Sequence, residues 1–292
     1  MNTKCLIKMF VATLIATSSV QAADTIMPPQ KTNSRVTPII AARNFSWTGL
    51  YFGGQIGNFS SKDSLNYSED ATAGKWGWVD KDLLPKPSGF VLGLYGGSNV
   101  ELGKNFVIGV DTDMIWSGKA RKKDTKTDDG EEIANDNDLN SINAVFKEAD
   151  IPIKKPGAGD ETIPNIGDIV VSSVTLKEKW AGAARVRLGF ASDHVMPYIS
   201  GGIAYAQLQY IMSLLAKSQE DQFVFASGDV LNEAKTMIGY TIGGGLDFAV
   251  TNHLIFRTEY RYSDFGKKKF GEDKLEIHHK TNNFRVGLAY KF

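Results

Sequence analysis

Phe284-Arg285-Val286-Gly287-Leu288-Ala289-Tyr290-Lys291-Phe292 closes the 292-residue chain with an apolar side chain at every second position. Side chains on a strand alternate faces, so Phe284, Val286, Leu288, Tyr290 and Phe292 form one apolar face and Arg285, Gly287, Ala289 and Lys291 the other. Soluble chains seldom place their last residue inside a core strand. A strand with lipid on one side and a polar lumen on the other fits the pattern better, and the stretch reads as the closing strand of a membrane β-barrel.

The other end of the chain agrees. Lys4 and Lys8 precede an apolar run from Met9 to Ala16, followed by Ser18-Ser19-Val20-Gln21-Ala22. This is the layout of a signal peptide, residues 1–22, cleaved after Ala22. Cys5 lies before the apolar run, not at the cleavage point, so it is no lipid anchor; it leaves with the signal peptide, and the mature chain has no cysteine. Residues 23–44, with Pro28, Pro29, Lys31, Arg35 and Pro38, read as a loose periplasmic leader. Residues 45–292 are then the barrel, and no further domain is expected after Phe292.

Charge and hydropathy remove other classes. The formal net charge is zero, and without Lys4 and Lys8 it falls to about minus two, so there is no basic footprint for nucleic acid. The run from Met9 to Ala16 is too short to span a bilayer, and no other stretch approaches the ~20 apolar residues of a membrane helix, which leaves a closed barrel as the way to satisfy a backbone in lipid. The 29 Gly, 16 Phe, 10 Tyr and 5 Trp suit a tight lumen and interfacial aromatic girdles.

Eight segments alternate with period two, near 47–58, 88–101, 105–117, 173–190, 197–211, 235–250, 253–265 and 281–292. Their outward faces include Leu50, Phe52 and Ile56; Phe90, Leu92 and Leu94; Phe106, Ile108, Val110, Met114 and Trp116; and Trp180, Ala184, Val186, Leu188 and Phe190. Later strands turn out Ile242, Leu246, Phe248 and Val250, then Leu254, Phe256, Tyr260 and Tyr262. The fifth segment is apolar on both sides and its facing stays open. Gly103-Lys104, Ser192 to Val195 and Thr251-Asn252 are tight polar turns, whereas 59–87, 118–172, 212–234 and 266–280 are long links. Short periplasmic turns and long outer loops are the asymmetry of outer-membrane barrels. The expected fold is all-β, an eight-stranded antiparallel transmembrane β-barrel with long extracellular loops and both termini periplasmic; ten strands follow if part of link 118–172 pairs. That link opens on Lys119, Arg121, Lys122, Lys123 and Lys126 but is acidic overall. Behind Asp138, its Leu139, Ile142, Val145, Phe146 and Ala149 fall at helical spacing, as for a short helix covering the barrel mouth.

Reversing the parity gives the lumen: Asp111 and Asp113, Arg185 and Arg187, Asp247, Arg257, Glu259 and Arg261, and Arg285. Counted from the periplasmic turns, Asp111, Arg185 and Glu259 lie at similar depth, as members of one interior ion network; the alternative is a set of solvated charges near the barrel ends. An eight-stranded interior is just filled by side chains, so such a network plugs the lumen.

Trp47-Thr48-Gly49-Leu50-Tyr51-Phe52-Gly53-Gly54, Pro197-Tyr198-Ile199-Ser200-Gly201-Gly202, Gly239-Tyr240-Thr241-Ile242-Gly243-Gly244-Gly245-Leu246-Asp247 and Arg257-Thr258-Glu259-Tyr260-Arg261-Tyr262-Ser263-Asp264-Phe265-Gly266 resemble the alphaproteobacterial outer-membrane surface-antigen barrels. The likeness runs over about 45–292, in a group of OmpA-like eight-stranded barrels that includes hemin-binding porin-like proteins. It implies location in the outer membrane, lipid and lipopolysaccharide as surroundings, and a structural and host-contact role that extends to hemin or host surface molecules. It also implies that Phe292, with Tyr290 two residues before it, resembles the signal read by the barrel assembly machinery.

No catalytic or metal-binding constellation is found, and the chain is expected not to be an enzyme. His194 and His253 sit in separate polar turns without the serine and carboxylate neighbours of nucleophilic catalysis. The remaining pair, His278 and His279, shares link 266–280 with Lys267, Lys268, Lys269, Lys274 and Lys280. Heme carries two propionates and an iron that accepts imidazole, so His278, His279, Lys267, Lys268 and Lys269 are the candidate hemin site, heme being a ligand and no cofactor being required. Against it, adjacent residues on a strand point oppositely. A small-solute porin and an adhesin acting through its loops are the competing functions.

Overall fold

The computed structural model describes residues 45–68, 77–78, 85–103, 105–117, 121–124, 130–153, 164–220, 222–271 and 273–292, with the backbone path alone at 77–78 and 121–124. The expected signal peptide and leader, Lys119, Lys126 and the side chains of Arg121, Lys122 and Lys123 lie outside the described residues.

Eight long strands form the wall: β1 (Gly49–Tyr67), β3 (Ser88–Leu102), β4 (Phe106–Ser117), β7 (Ile169–Phe190), β8 (Val195–Lys217), β9 (Val224–Ala249), β10 (Leu254–Phe270) and β11 (Leu275–Lys291). Each pairs antiparallel with the next, and β11 returns to β1 from Tyr51↔Lys291 to Tyr67↔Leu275, closing the ring. Three short strands decorate its upper rim: β2 (Gly77–Trp78) on β1, and β5 (Arg121–Asp124) and β6 (Glu131–Glu132) on β7. Pieces of both long links therefore do pair, at the rim, and the ring itself stays at eight.

The outward residues make a continuous apolar belt in which Phe52, Leu92, Val110, Val186, Ile242 and Phe284 are each more than half exposed. Such area has no tolerable partner in water and matches the hydrocarbon layer. The fifth segment is now assigned: Ile199 and Ile203 face out at 65% and 61% exposure, while Tyr198, Ala204, Ala206 and Leu208 are buried inside.

Two expectations need correction. Links 212–234 and 266–280 are mostly strand, interrupted by turns near 218–223 and 271–274, and the wall of β1 and β7 to β11 rises well above the belt. Above the lipid the polarity inverts, with Phe59, Leu65, Leu176, Leu208, Phe270 and Ile277 packed inside and polar side chains outside. Trp47 lies before the first strand: it is fully buried with Phe45 beneath the barrel, against Val107, Ala191, Met196, Ala249 and Ile255. Its indole Nε1 donates to the Asp193 carbonyl at 3.2 Å.

Helix α1 (Asp136–Glu148) starts two residues earlier than Asp138, because Asn135 is the N-cap and its side chain accepts from Asp138 N at 3.0 Å. Its Ile142 and Phe146, with Ile151, pack on Val170, Leu214, Ala216, Ala226 and Val230 of the raised β7–β8–β9 wall. Gly228 leaves the room for Ile151, whose side chain would lie 2.8 Å from a Cβ there.

Candidate functional site

The belt-level lumen is filled with charge. Asp111 and Arg185 are direct partners across β4 and β7. The Asp111 carboxylate accepts Arg185 Nε and Nη2, both at 2.9 Å, the bidentate geometry that suits guanidinium best. Arg185 Nη1 donates onward to Glu259 at 2.8 Å and to Ser200 Oγ at 3.2 Å. Glu259 also accepts Tyr198 Oη at 2.8 Å and Arg261 Nε at 2.9 Å. Arg261 reaches on to Asp113, which takes Arg285 Nη1 at 3.2 Å as well.

Toward the periplasm Asp247 holds Arg257 at 2.8 and 2.9 Å and Arg187 Nη2 at 2.7 Å. Tyrosine faces cover these guanidinium groups: Arg187 lies 3.8 Å from the Tyr198 ring centroid and Arg257 4.5 Å from that of Tyr95. Glycines make the room. A Cβ on Gly97 would sit 2.6 Å from Tyr51 Oη and one on Gly245 2.7 Å from Tyr198 Oη, each glycine being the direct cross-strand partner of that tyrosine. This gives the glycine run at 243–245 a packing reason.

Asp111, Asp113, Arg185, Arg187, Asp247, Arg257, Glu259, Arg261 and Arg285 are all buried, each no more than 5% exposed, and all meet in this one network. Solvated charges at the barrel ends they are not. Unpaired, any of them would be costly at this depth; together they satisfy one another in a space too narrow for bulk water. Tyr51, Tyr95 and Tyr198 belong to the same plug and carry no charge signal in the sequence beyond their inward parity.

Above this layer sits a second, separate constellation. His279 is completely buried, its Nδ1 2.5 Å from Asp63 Oδ1 and its Nε2 2.9 Å from Glu178 Oε2. The ring stacks on Phe265 at 5.3 Å. Its level is extracellular to the apolar belt, since the outward residues beside it are Lys62, His278 and Lys280. Burial alone would push the imidazolium down, but the Asp63 and Glu178 carboxylates outweigh it and hold the pKa up at about 10. Sequence alternation misses Asp63 and Glu178 for definite reasons. The apolar alternation of the first strand stops at 58, and a bulge between Glu178 and Trp180 flips the parity of β7.

The candidate hemin residues are not brought together. His279 faces the sealed interior with both ring nitrogens engaged, whereas His278 faces outward, its Nε2 2.8 Å from Asp264. Lys267 pairs with Glu276 at 2.9 Å, and Lys268 and Lys269 are exposed near the β10–β11 turn. A heme iron cannot take His278 and His279 from this arrangement, because the strand directs them to opposite sides of the wall. His194 and His253 lie exposed in periplasmic turns, His253 Nδ1 being 3.0 Å from the Lys291 carbonyl. Tyr290 and Phe292 face out at the lower edge of the belt, their rings edge to face at 5.1 Å.

Comparison with known proteins follows the same lines. The family model of the outer membrane protein beta-barrel domain matches residues 10–292. The chain is 27% identical over 301 residues to a 31 kDa outer-membrane immunogenic protein of Brucella melitensis, covering 99% of this chain and 100% of that protein. It is 28% identical over 127 residues to a 22 kDa outer membrane protein of Rhizobium leguminosarum, covering 43% and 53% of the two chains. Among solved structures, the outer membrane protein OprG of Pseudomonas aeruginosa aligns at a TM-score of 0.40 and 11% identity, over 84% of this chain and 96% of that one.

Proposed function

The chain belongs to the outer membrane protein beta-barrel domain family, and on that footing we propose that it acts as a sealed surface scaffold, a structural element of the outer membrane that presents its raised wall and roof to the host. The observation that carries this reading is the double plug. An ion network fills the belt-level lumen and an apolar layer with the His279 constellation closes it above. Eight strands leave an interior that side chains just fill, so the lumen has no continuous water path to offer a solute.

The porin reading draws no support from so packed an interior. Hemin collection draws less than the sequence suggests, since the outward face retains only His278 with Lys267, Lys268 and Lys269, and His278 is engaged by Asp264. Host contact draws support from the relief of the molecule: β9 runs 26 residues and β8 23, well beyond a bilayer's need of ~9–11 per strand.

Reconstitution in planar bilayers tests the scaffold against the pore. A sealed scaffold gives no steady single-channel conductance; stable, reproducible steps from the wild-type chain would overturn the reading in favour of a porin.

A further inference from the structure

The outer wall of β10, β11, β1 and β3 changes character row by row at the extracellular edge of the belt. The last aromatic row is Tyr260, Phe284, Asn58 and Phe90, cross-strand neighbours in that order, with the three rings each more than half exposed. One row higher come Tyr262, Asn282, Ser60 and Ser88. The next row is Asp264, Lys280 and Lys62.

Lys280 and Lys62 are direct antiparallel partners. Two like charges placed opposite each other destabilise a sheet unless a counter-charge lies between them. Asp264 takes Lys280 at 3.2 Å but is shared with His278, and Lys62 has no ion pair among the described residues. Between these lysines and the aromatic row lies a dent of ≈460 Å³, whose lining includes Asn58, Ser60, Asn282, Tyr260 and Phe284. The juxtaposition is ordered along the membrane normal: cation pair, amides and hydroxyls, aromatic rings, then belt.

We propose that this wall is a docking site for a phosphorylated saccharolipid of the outer leaflet, the lipid anchor of lipopolysaccharide. A phosphate seats between Lys62 and Lys280, sugar hydroxyls meet the amides and hydroxyls of the dent, and an acyl chain lies along Phe284 and Ile56. Basic side chains just above a hydrocarbon edge attract anionic headgroups. The dent's amide and hydroxyl lining favours a sugar over a headgroup with few hydroxyls.

Native mass spectrometry of the folded chain released from detergent tests the site, with diphosphorylated lipid A as probe. The expected result is one retained copy, bound about 30-fold more weakly by the Lys62→Ala, Lys280→Ala double variant, at roughly five-fold per charge. Lys217→Ala, a lysine on the distant β8 rim, leaves binding unchanged. Should the double variant fail to fold, Lys62→Ala alone, which breaks no ion pair, shows the five-fold loss. Equal retention of dephosphorylated lipid A, equal binding by the variants, or displacement by inorganic phosphate at matching concentration would each overturn the proposal; the last would make free phosphate the ligand.

Discussion

At the scale of single residues, the molecule turns on groups that are tolerable only because their neighbours are present. Arg185 serves Asp111, Glu259 and Ser200 at once, so Arg185→Ala strands two carboxylates in a nearly dry space. A loss of about 3–5 kcal/mol is expected, read as a lower melting midpoint in detergent; an unchanged melt would remove the network from the stability account. His279 gives a pH signature of definite sign. Its folded pKa of about 10 lies above the unfolded value of about 6.5. The stability it supplies is therefore complete below the unfolded value and is lost as pH rises toward and through the folded one. Subtracting the melting profile of His279→Gln from that of the wild type isolates the contribution, which declines between about pH 6.5 and 10; a flat difference would mean that the imidazolium pair does not form.

At the scale of elements, Gly245→Val should be among the more damaging changes on β9, since its Cβ position collides with Tyr198 and with the Thr258 carbonyl, 2.2 Å away. The expected readout is loss of the compact, unheated gel band, whereas Gly103→Val, in a turn where a Cβ meets nothing within 4 Å, leaves that band intact. The belt strands are readable in the sequence because lipid imposes one rule on all of them, apolar outward at every second residue. Their upper halves are not, because the rule reverses once water replaces lipid outside. From Leu275 to Asn283 the period of two persists, with Ile277, His279 and Thr281 inside and His278, Lys280 and Asn282 outside, so the segment resembles a polar loop. The lumen charges stand out through parity alone, because a charge on the inner face of a lipid-facing strand is tolerable only with a partner beside it. The histidine pair misleads for the same reason that makes it informative: adjacency in sequence is opposition on a strand.

At the scale of the whole molecule, the barrel is a wall with one greasy belt and three stacked interiors, a periplasmic plug at Trp47, an ion network and an apolar upper core. Helix α1 closes on the raised rim through Phe146, which is fully buried. Phe146→Ala should cost about 3–5 kcal/mol locally and expose the 130–153 segment to protease while the belt strands stay protected; equal protection of that segment in variant and wild type would detach the helix from the roof.

The central claim, that the final strand has lipid on one side and a filled lumen on the other, is tested most directly by single cysteines at positions 284 to 290. The chain's one cysteine, Cys5, lies far from them in sequence. Each introduced cysteine carries a fluorophore in bilayers containing brominated lipid. Strong quenching at 284, 286, 288 and 290 with none at 285, 287 and 289 is the predicted result; uniform quenching, or none at any position, would contradict it.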